Sequence, residues 1–521
     1  MEISKYWLML LLCTWLGETL VTACPKGCIC QHYNVDCRGQ NLTEIPTDIP
    51  ISTRILHIEG NRIRELTEES FQNLENLDIL GLGGNEIMTL KKSPFQKLIK
   101  LTHLYLDNNL LTGDDFKSAT FMGLDALVVM NLSHNPIATL NDGSFQFEYL
   151  TSLQTLDLSY NDLQHISPNA FTDIHQLTTL YLNDNHLDDI THIFKGLKKL
   201  QTLNCSSNQI TMIGKGDMYD LRDLQFFDIG TNKLSVIEED AFSELQKLTF
   251  LDLRENRLTT VPTDNLKYLS SLVILDLDTN PIKEITTGAV PIPSLEDLFI
   301  NNMPVLSTIK NGSFAQLKNL QRAFIANNPK LSNIHPSAFN VTPSKDSAMS
   351  TIDLRNNSLR TLDKTLLNWN SMHEIQVGAN PWNCDCNIEW MIESLPDDQS
   401  HFQYDLKCDA PKRLLGQLVQ SLESEDFICP VAPITAYMGG MITSIVVISI
   451  VALVAIVGFI IFKCRYRFKC CFTRPGDYHR VMYDIYDAME PEGVIVTPAS
   501  EYKDKIIAKN ERKSLKDAVE V

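Results

Sequence analysis

The chain has 521 residues, 44% of them hydrophobic and 21% charged, with a formal net charge of −19 at neutral pH and 13 cysteines. An acidic balance of this size argues against nucleic acid as a partner, because a phosphate backbone is held by basic faces.

Residues 1–23 carry Lys5, an apolar run from Tyr6 to Leu12 and the small-residue ending Val21-Thr22-Ala23, the pattern of a secretory signal peptide. Residues 24–50 then form an N-terminal cap written in cysteine: Cys24-Pro25-Lys26-Gly27-Cys28-Ile29-Cys30, followed by Cys37. From 51 to 380 an asparagine recurs about every 24 residues inside the frame LxxLxLxxNxL, from Asn61 through Asn85, Asn109 and Asn135 to Asn380. This period and frame are the signature of a leucine-rich repeat solenoid. The fold class expected is therefore an α/β solenoid: a curved horseshoe of about fourteen coils with a parallel concave sheet, capped at both ends. In a coil such as Leu153, Leu156, Leu158, Asn161, Leu163, the two leucines separated by one residue both point inward from a short strand. The asparagine has donor and acceptor atoms to satisfy backbone groups of its own and the next coil. About ten residues later comes a ring that fills the convex side: Phe71, Phe95, Phe145, Phe171 and Phe242, with Phe121, Phe194, Phe314 and Phe339 close to that offset. Met303 stands in place of the asparagine in the eleventh coil, and the interval from Asn328 to Asn357 holds a polar insertion beginning at Asn340.

A solenoid exposes apolar surface at each end and needs caps. Residues 381–430 supply the second, with Pro381-Trp382-Asn383-Cys384-Asp385-Cys386, then Cys408 and Cys429. Four cysteines in each cap suit a disulfide framework in an oxidising compartment, whereas the spacings lack the paired CxxC of zinc knuckles. Sequons for N-glycosylation stand at Asn41, Asn131, Asn204, Asn311, Asn340 and Asn356, Asn204 being the weaker acceptor because Cys205 follows it. After a linker at 431–440, residues 441–462 contain no charge, enough for one membrane-spanning helix, and Lys463, Arg465, Arg467 and Lys469 follow at once. The expected topology is a single-pass type I protein of the plasma membrane with its repeats outside. The 463–521 tail has twelve Lys/Arg and ten Asp/Glu and the leader one Lys and two Glu, so net charges of +2 and −1 leave −20 on the rest. That balance is compatible with a basic protein partner.

The tail is expected to be disordered. Cys464, Cys470 and Cys471 lie beside the membrane among basic residues, a setting for S-palmitoylation. Tyr478 and Tyr486 each begin a YxxΦ pattern that an endocytic adaptor reads, and the terminal Val519-Glu520-Val521 fits a PDZ domain. No catalytic constellation, metal-ligating motif or cofactor signature is legible, so the chain is expected to bind and not to catalyse.

With both caps, the phenylalanine column, one span and a short tail in view, the chain resembles the transmembrane leucine-rich repeat receptors. That group includes Toll-type ectodomains and capricious/tartan-like adhesion proteins. The resemblance implies bridges Cys24–Cys30, Cys28–Cys37, Cys384–Cys408 and Cys386–Cys429. It also implies recognition of an extracellular protein ligand, possibly a second copy of the chain, in adhesion or guidance; an immune-type receptor or co-receptor is the alternative. Only 33 residues follow Ala488, too few for a TIR domain.

Binding is expected on the outward positions of the concave strands. Asp228, Asp252 and Asp276 recur there on consecutive coils, with Asp278 beside them, Arg254 as the local relief, and Phe226, Phe250, Phe299 and Phe324 flanking. Aromatics beside a charged column resemble an interface core; the bland reading is a solvated face on which aspartate is simply common. On the first reading, Asp252→Lys with Asp276→Lys abolishes ligand capture while surface expression persists.

Overall fold

The computed structural model describes residues 24–116, 119–145, 149–339, 349–394, 406–429 and 434–468. The leader, the sequon at Asn340 and the tail from residue 469 lie outside the described residues. Two compact units, Met1–Cys429 and Pro430–Val521, divide the chain.

The first unit is a solenoid built on one 16-stranded sheet. An antiparallel hairpin of the N-terminal cap, Ile29–Gln31 with Asn34–Asp36, opens it. Fourteen parallel three-residue strands follow, from Ile55–His57 to Glu374–Gln376. Every strand buries its middle residue and turns its first and third to the concave side, as the period of two requires. Leu56, Leu80, Leu104, Leu156, Leu251 and Leu298 are such fully buried middle residues. Register holds across the longer coils too: His103, Leu104 and Tyr105 pair in line with Val129, Met130 and Asn131. The extra residues therefore sit outside the sheet.

The asparagine ladder ties coil to coil. Asn85 Nδ2 donates to Leu82 O of its own coil at 2.9 Å and to Ile58 O of the preceding one at 3.0 Å, while its Oδ1 accepts from Ile63 N at 3.1 Å. The same arrangement recurs at Asn109, Asn185 and Asn256. These buried side chains hold backbone groups that no helix or ladder would otherwise satisfy. Each residue before the asparagine takes a left-handed conformation, including Thr231 (φ 53°), Glu255 (φ 51°) and Thr279 (φ 57°). That backbone costs L-residues about 1–2 kcal/mol each. It is offset because Thr231 N then reaches Arg254 O at 2.9 Å and Glu255 N reaches Asp278 O at 2.8 Å.

The return side consists of turns, two-residue parallel strands such as Thr139–Leu140 with His165–Ile166, and a short helix, Thr263–Leu266. Its core is the expected ring column, in which Phe71 stacks on Phe95 at 6.2 Å and Phe145 on Phe171 at 5.9 Å. Phe116 joins the column against Phe121 and Phe145, a member the spacing does not reveal.

All four disulfides implied by the family resemblance are present: Cys24–Cys30, Cys28–Cys37, Cys384–Cys408 and Cys386–Cys429. Trp382 and Cys384 are fully buried, and the Trp390 indole donates to Leu362 O at 2.9 Å, so the C-terminal cap seals the last coils. Replacing Cys384 and Cys408 by alanine is expected to cost about 2–4 kcal/mol, from the lost constraint on a closed loop. Thermal unfolding of the oxidised 24–429 unit reads this, and an unchanged midpoint would show that the bridge adds nothing to the cap.

The second unit contains a helix, Ile434–Phe468, whose stretch Val446–Lys463 is long and apolar enough to cross a membrane. Cys464 lies within that helix.

Candidate functional site

On the concave side the first strand position reads Phe226, Phe250, Ile274, Asp297, Arg322 over coils eight to twelve, and the third reads Asp228, Asp252, Asp276, Phe299, Phe324. The apolar column therefore crosses from one side of the strands to the other between Ile274 and Phe299. The sequence-predicted residues are brought together as neighbours in one register.

Phe226 lies on Phe250 with ring centroids 4.4 Å apart and an interplanar angle of 3°; Phe299 lies on Phe324 at 4.7 Å and 7°. All four rings are half-buried. Each pair offers a flat apolar shelf, with no further ring stacked on it among the described residues.

The aspartates have a role that the sequence does not disclose. Past each strand, alternate N–H groups reach the next coil, as Ile229 N does to Asp252 O and Thr231 N to Arg254 O. The N–H between them has no such backbone acceptor, and the third-position side chain supplies one. Asp228 accepts from Gly230 N at 2.9 Å, Asp252 from Arg254 N at 2.9 Å, Asp276 from Asp278 N at 2.8 Å and Asp353 from Arg355 N at 3.0 Å. Asn131 and Asn204 do the same with Ser133 N and Ser206 N at 2.9 Å. The recurrence of Asp and Asn thus has a structural cause. In consequence Asp228 and Asp252 are only 8% and 3% exposed, so they line the floor of the face and do not project from it. A lysine at 252 or 276 removes a backbone acceptor as well as a charge. Surface expression of that double variant is therefore a poor control, and asparagine is the substitution that separates charge from fold.

Countercharge is unevenly shared. Asp252 Oδ2 meets Arg254 Nε at 3.3 Å. Asp278 accepts from Asn301 N and from Asn301 Nδ2 at 3.0 Å, but neither it nor Asp276 has an ion-pair partner among the described residues. Arg322, itself largely exposed, forks onto the buried carboxylate of Asp297, a pair that the sequence does not disclose. Burial pushes the carboxyl of Asp252 up to about 6, with Asp228 and Asp278 adding to it. Burial together with the Asp278 charge pushes Asp276 up to about 7, and burial raises Asp278. Gly230 is the other residue the sequence reading missed. A Cβ there would stand 3.1 Å from Asp252 Oδ1 and Arg254 Cγ and 3.3 Å from Asp228 Oδ1, so glycine keeps the floor between two carboxylates open.

Of the sequons, Asn41, Asn311 and Asn356 are exposed, whereas Asn131 and Asn204 are half-buried on the concave side. Cys205, which follows Asn204, is unbridged and fully buried, and burial pushes its thiol up. Cys470, Cys471, Tyr478, Tyr486, Val519 and Val521 lie outside the described residues.

Family models described as leucine rich repeat match residues 51–111, 146–187 and 227–282. A two-copy repeat model matches 175–217, and a BspA-type leucine rich repeat region matches 283–380. The leucine rich repeat N-terminal domain matches 23–50. Podocan of Mus musculus is 29% identical over 239 residues, covering 37% of this chain and 39% of podocan. Asporin of Bos taurus is 31% identical over 225 residues, covering 39% and 59%; decorin of Homo sapiens is 31% identical over 225 residues, covering 38% and 60%. The chain thus spans less than two thirds of the length of these curated relatives. A chain from the octameric complex of Latrophilin 3, Unc5D and FLRT2 superposes with a TM-score of 0.47 at 20% identity, covering 78% of this chain and 100% of that one. The Toll–Spatzle complex of Drosophila gives 0.49 at 21% identity, covering 74% and 59%.

Proposed function

We propose that this leucine-rich repeat solenoid is the recognition domain of a single-pass cell-surface receptor, and that it holds a protein ligand on its concave face at coils eight to twelve in cell adhesion or guidance. The observation that carries the reading is the pair of stacked phenylalanine shelves, Phe226–Phe250 and Phe299–Phe324, left half-buried on either side of carboxylates. Aromatic surface of this kind is costly in water and is enriched at interface cores. The four disulfides favour an oxidising compartment and the apolar helix favours membrane anchoring.

Beads coated with the glycosylated, oxidised 24–429 unit test the adhesion mode. Clustering of beads with one another is the result expected of homophilic adhesion. Dispersed beads would remove the homophilic form and make the same unit the bait for a ligand on another cell. Loss of every cell-surface partner on mutating the phenylalanine shelves is expected in either form. Binding indifferent to those rings would sink the concave-face reading.

A further inference from the structure

The floor of the face holds Asp228, Asp252, Asp276 and Asp278, and among the described residues the Arg254 guanidinium in their midst is ion-paired with Asp252 alone. These carboxylates are spread over successive coils, where strands lie about 4.8 Å apart. No group of three acidic, histidine or cysteine side chains among the described residues is gathered closely enough to hold a metal ion. An elongated organic cation fits the spacing where a compact ion does not. The apolar shelves set its surroundings: Phe226, Phe250 and Ile274 run beside Asp228, Asp252 and Asp276, and the shelf of Phe299 and Phe324 continues from Asp276 in the same column. The Asp297–Arg322 fork closes the opposite side with its charge already neutralised. Gly230 leaves the gap beside Asp252 unfilled.

Building on the concave-face reading, we infer that the occupant is a polypeptide segment of another protein with an arginine or lysine flanked by apolar side chains. The cation lies over Asp252, Asp276 and Asp278, and the apolar neighbours rest on the two phenylalanine shelves. A guanidinium suits both surfaces, since it pairs with carboxylates through a fork and stacks on aromatic rings. The net charge of the chain, −19, adds long-range attraction for such a segment. The paired Asp297 and Asp353 show that this sheet accommodates a guanidinium against a floor carboxylate, because Arg322 and Arg355 already do so from within the chain.

The chain itself supplies the test. Asn131 and Asn204 stand at the same strand position as Asp252 and Asp276 and keep the backbone acceptor, so D252N/D276N removes charge without removing that acceptor. The full chain in lipid nanodiscs is used to select binders at pH 7.4 from a displayed library of random twelve-residue peptides. Selected peptides are expected to carry an arginine or lysine between apolar residues. They should lose at least tenfold in affinity on D252N/D276N and on F299S/F324S. Peptides that lack a cation, or that bind D252N/D276N as tightly as the parent yet fail on F299S/F324S, overturn the cation inference and leave the concave-face reading standing. Peptides indifferent to both variants, or no selected peptide at all, overturn both.

Discussion

Asn256→Asp is expected to unfold the middle of the solenoid, at a cost of about 4 kcal/mol or more. Asn256 Nδ2 donates to Ile229 O at 2.9 Å and to Leu253 O and Arg254 O at 3.1 Å, while Oδ1 accepts from Leu234 N at 2.9 Å. Aspartate preserves the contact with Leu234 N but turns a second oxygen onto three carbonyls, with no donor left for any of them. Protonation relieves part of this only by leaving buried acceptors unfilled. Because each coil contacts only its neighbours, the damage should separate the solenoid into two parts that melt independently. Two transitions in place of one, together with poor delivery to the cell surface, are the outcome expected. A single melt within 1 kcal/mol of the parent would show that the asparagine ladder is dispensable. The contrast with Asp252→Asn is informative, since that change alters a neighbouring polar residue on the same coil yet keeps its hydrogen bond.

Acidification is expected to strengthen the fold and release the ligand. Asp252 and Asp276 ionise at about 6 and 7 in the folded chain and near 3.8 when unfolded. Between about pH 4 and 7 these two groups bind more protons in the folded state, so their contribution to stability falls as pH rises through that window and is flat below it. The two carboxyls together amount to about 2–4 kcal/mol once solvent screening of the half-buried Asp276 is allowed for. Ligand binding runs the other way, because a cation needs these groups ionised. Affinity for a basic peptide should fall tenfold or more from pH 7.5 to pH 5. The groups facing the pair are Asp228, Arg254 and Asp278. D252N/D276N should flatten both profiles and raise the midpoint of unfolding at pH 7.5. A stability difference between the parent and D252N/D276N that does not grow from pH 4 to 7 would contradict the raised values. Together the two slopes describe a face that holds costly charge in the free state, as a binding face of the proposed kind requires.

Much of this was written in the chain. The 24-residue period, the buried leucines two apart and the phenylalanine column depend on burial at fixed spacing, which a linear sequence records directly. The paired cysteine clusters likewise marked the two ends. The column of aspartates beside aromatics was legible too, because strand position follows from the repeat frame. What each aspartate does was not. Only the stacked coils reveal that an N–H at Gly230, Arg254 or Asp278 lacks a backbone acceptor, so that the carboxylate is drawn inward to supply one. Nothing local to Thr231 or Glu255 calls for a left-handed backbone; hydrogen bonds to the next coil impose it. The Asp297–Arg322 fork joins residues 25 apart, and Gly230 matters through side chains on two coils. The sequence by itself determined the scaffold, since a repeating burial pattern has one way to close. The tertiary structure decided which polar groups are bound within the protein, because that depends on hydrogen bonds between coils that no single repeat contains.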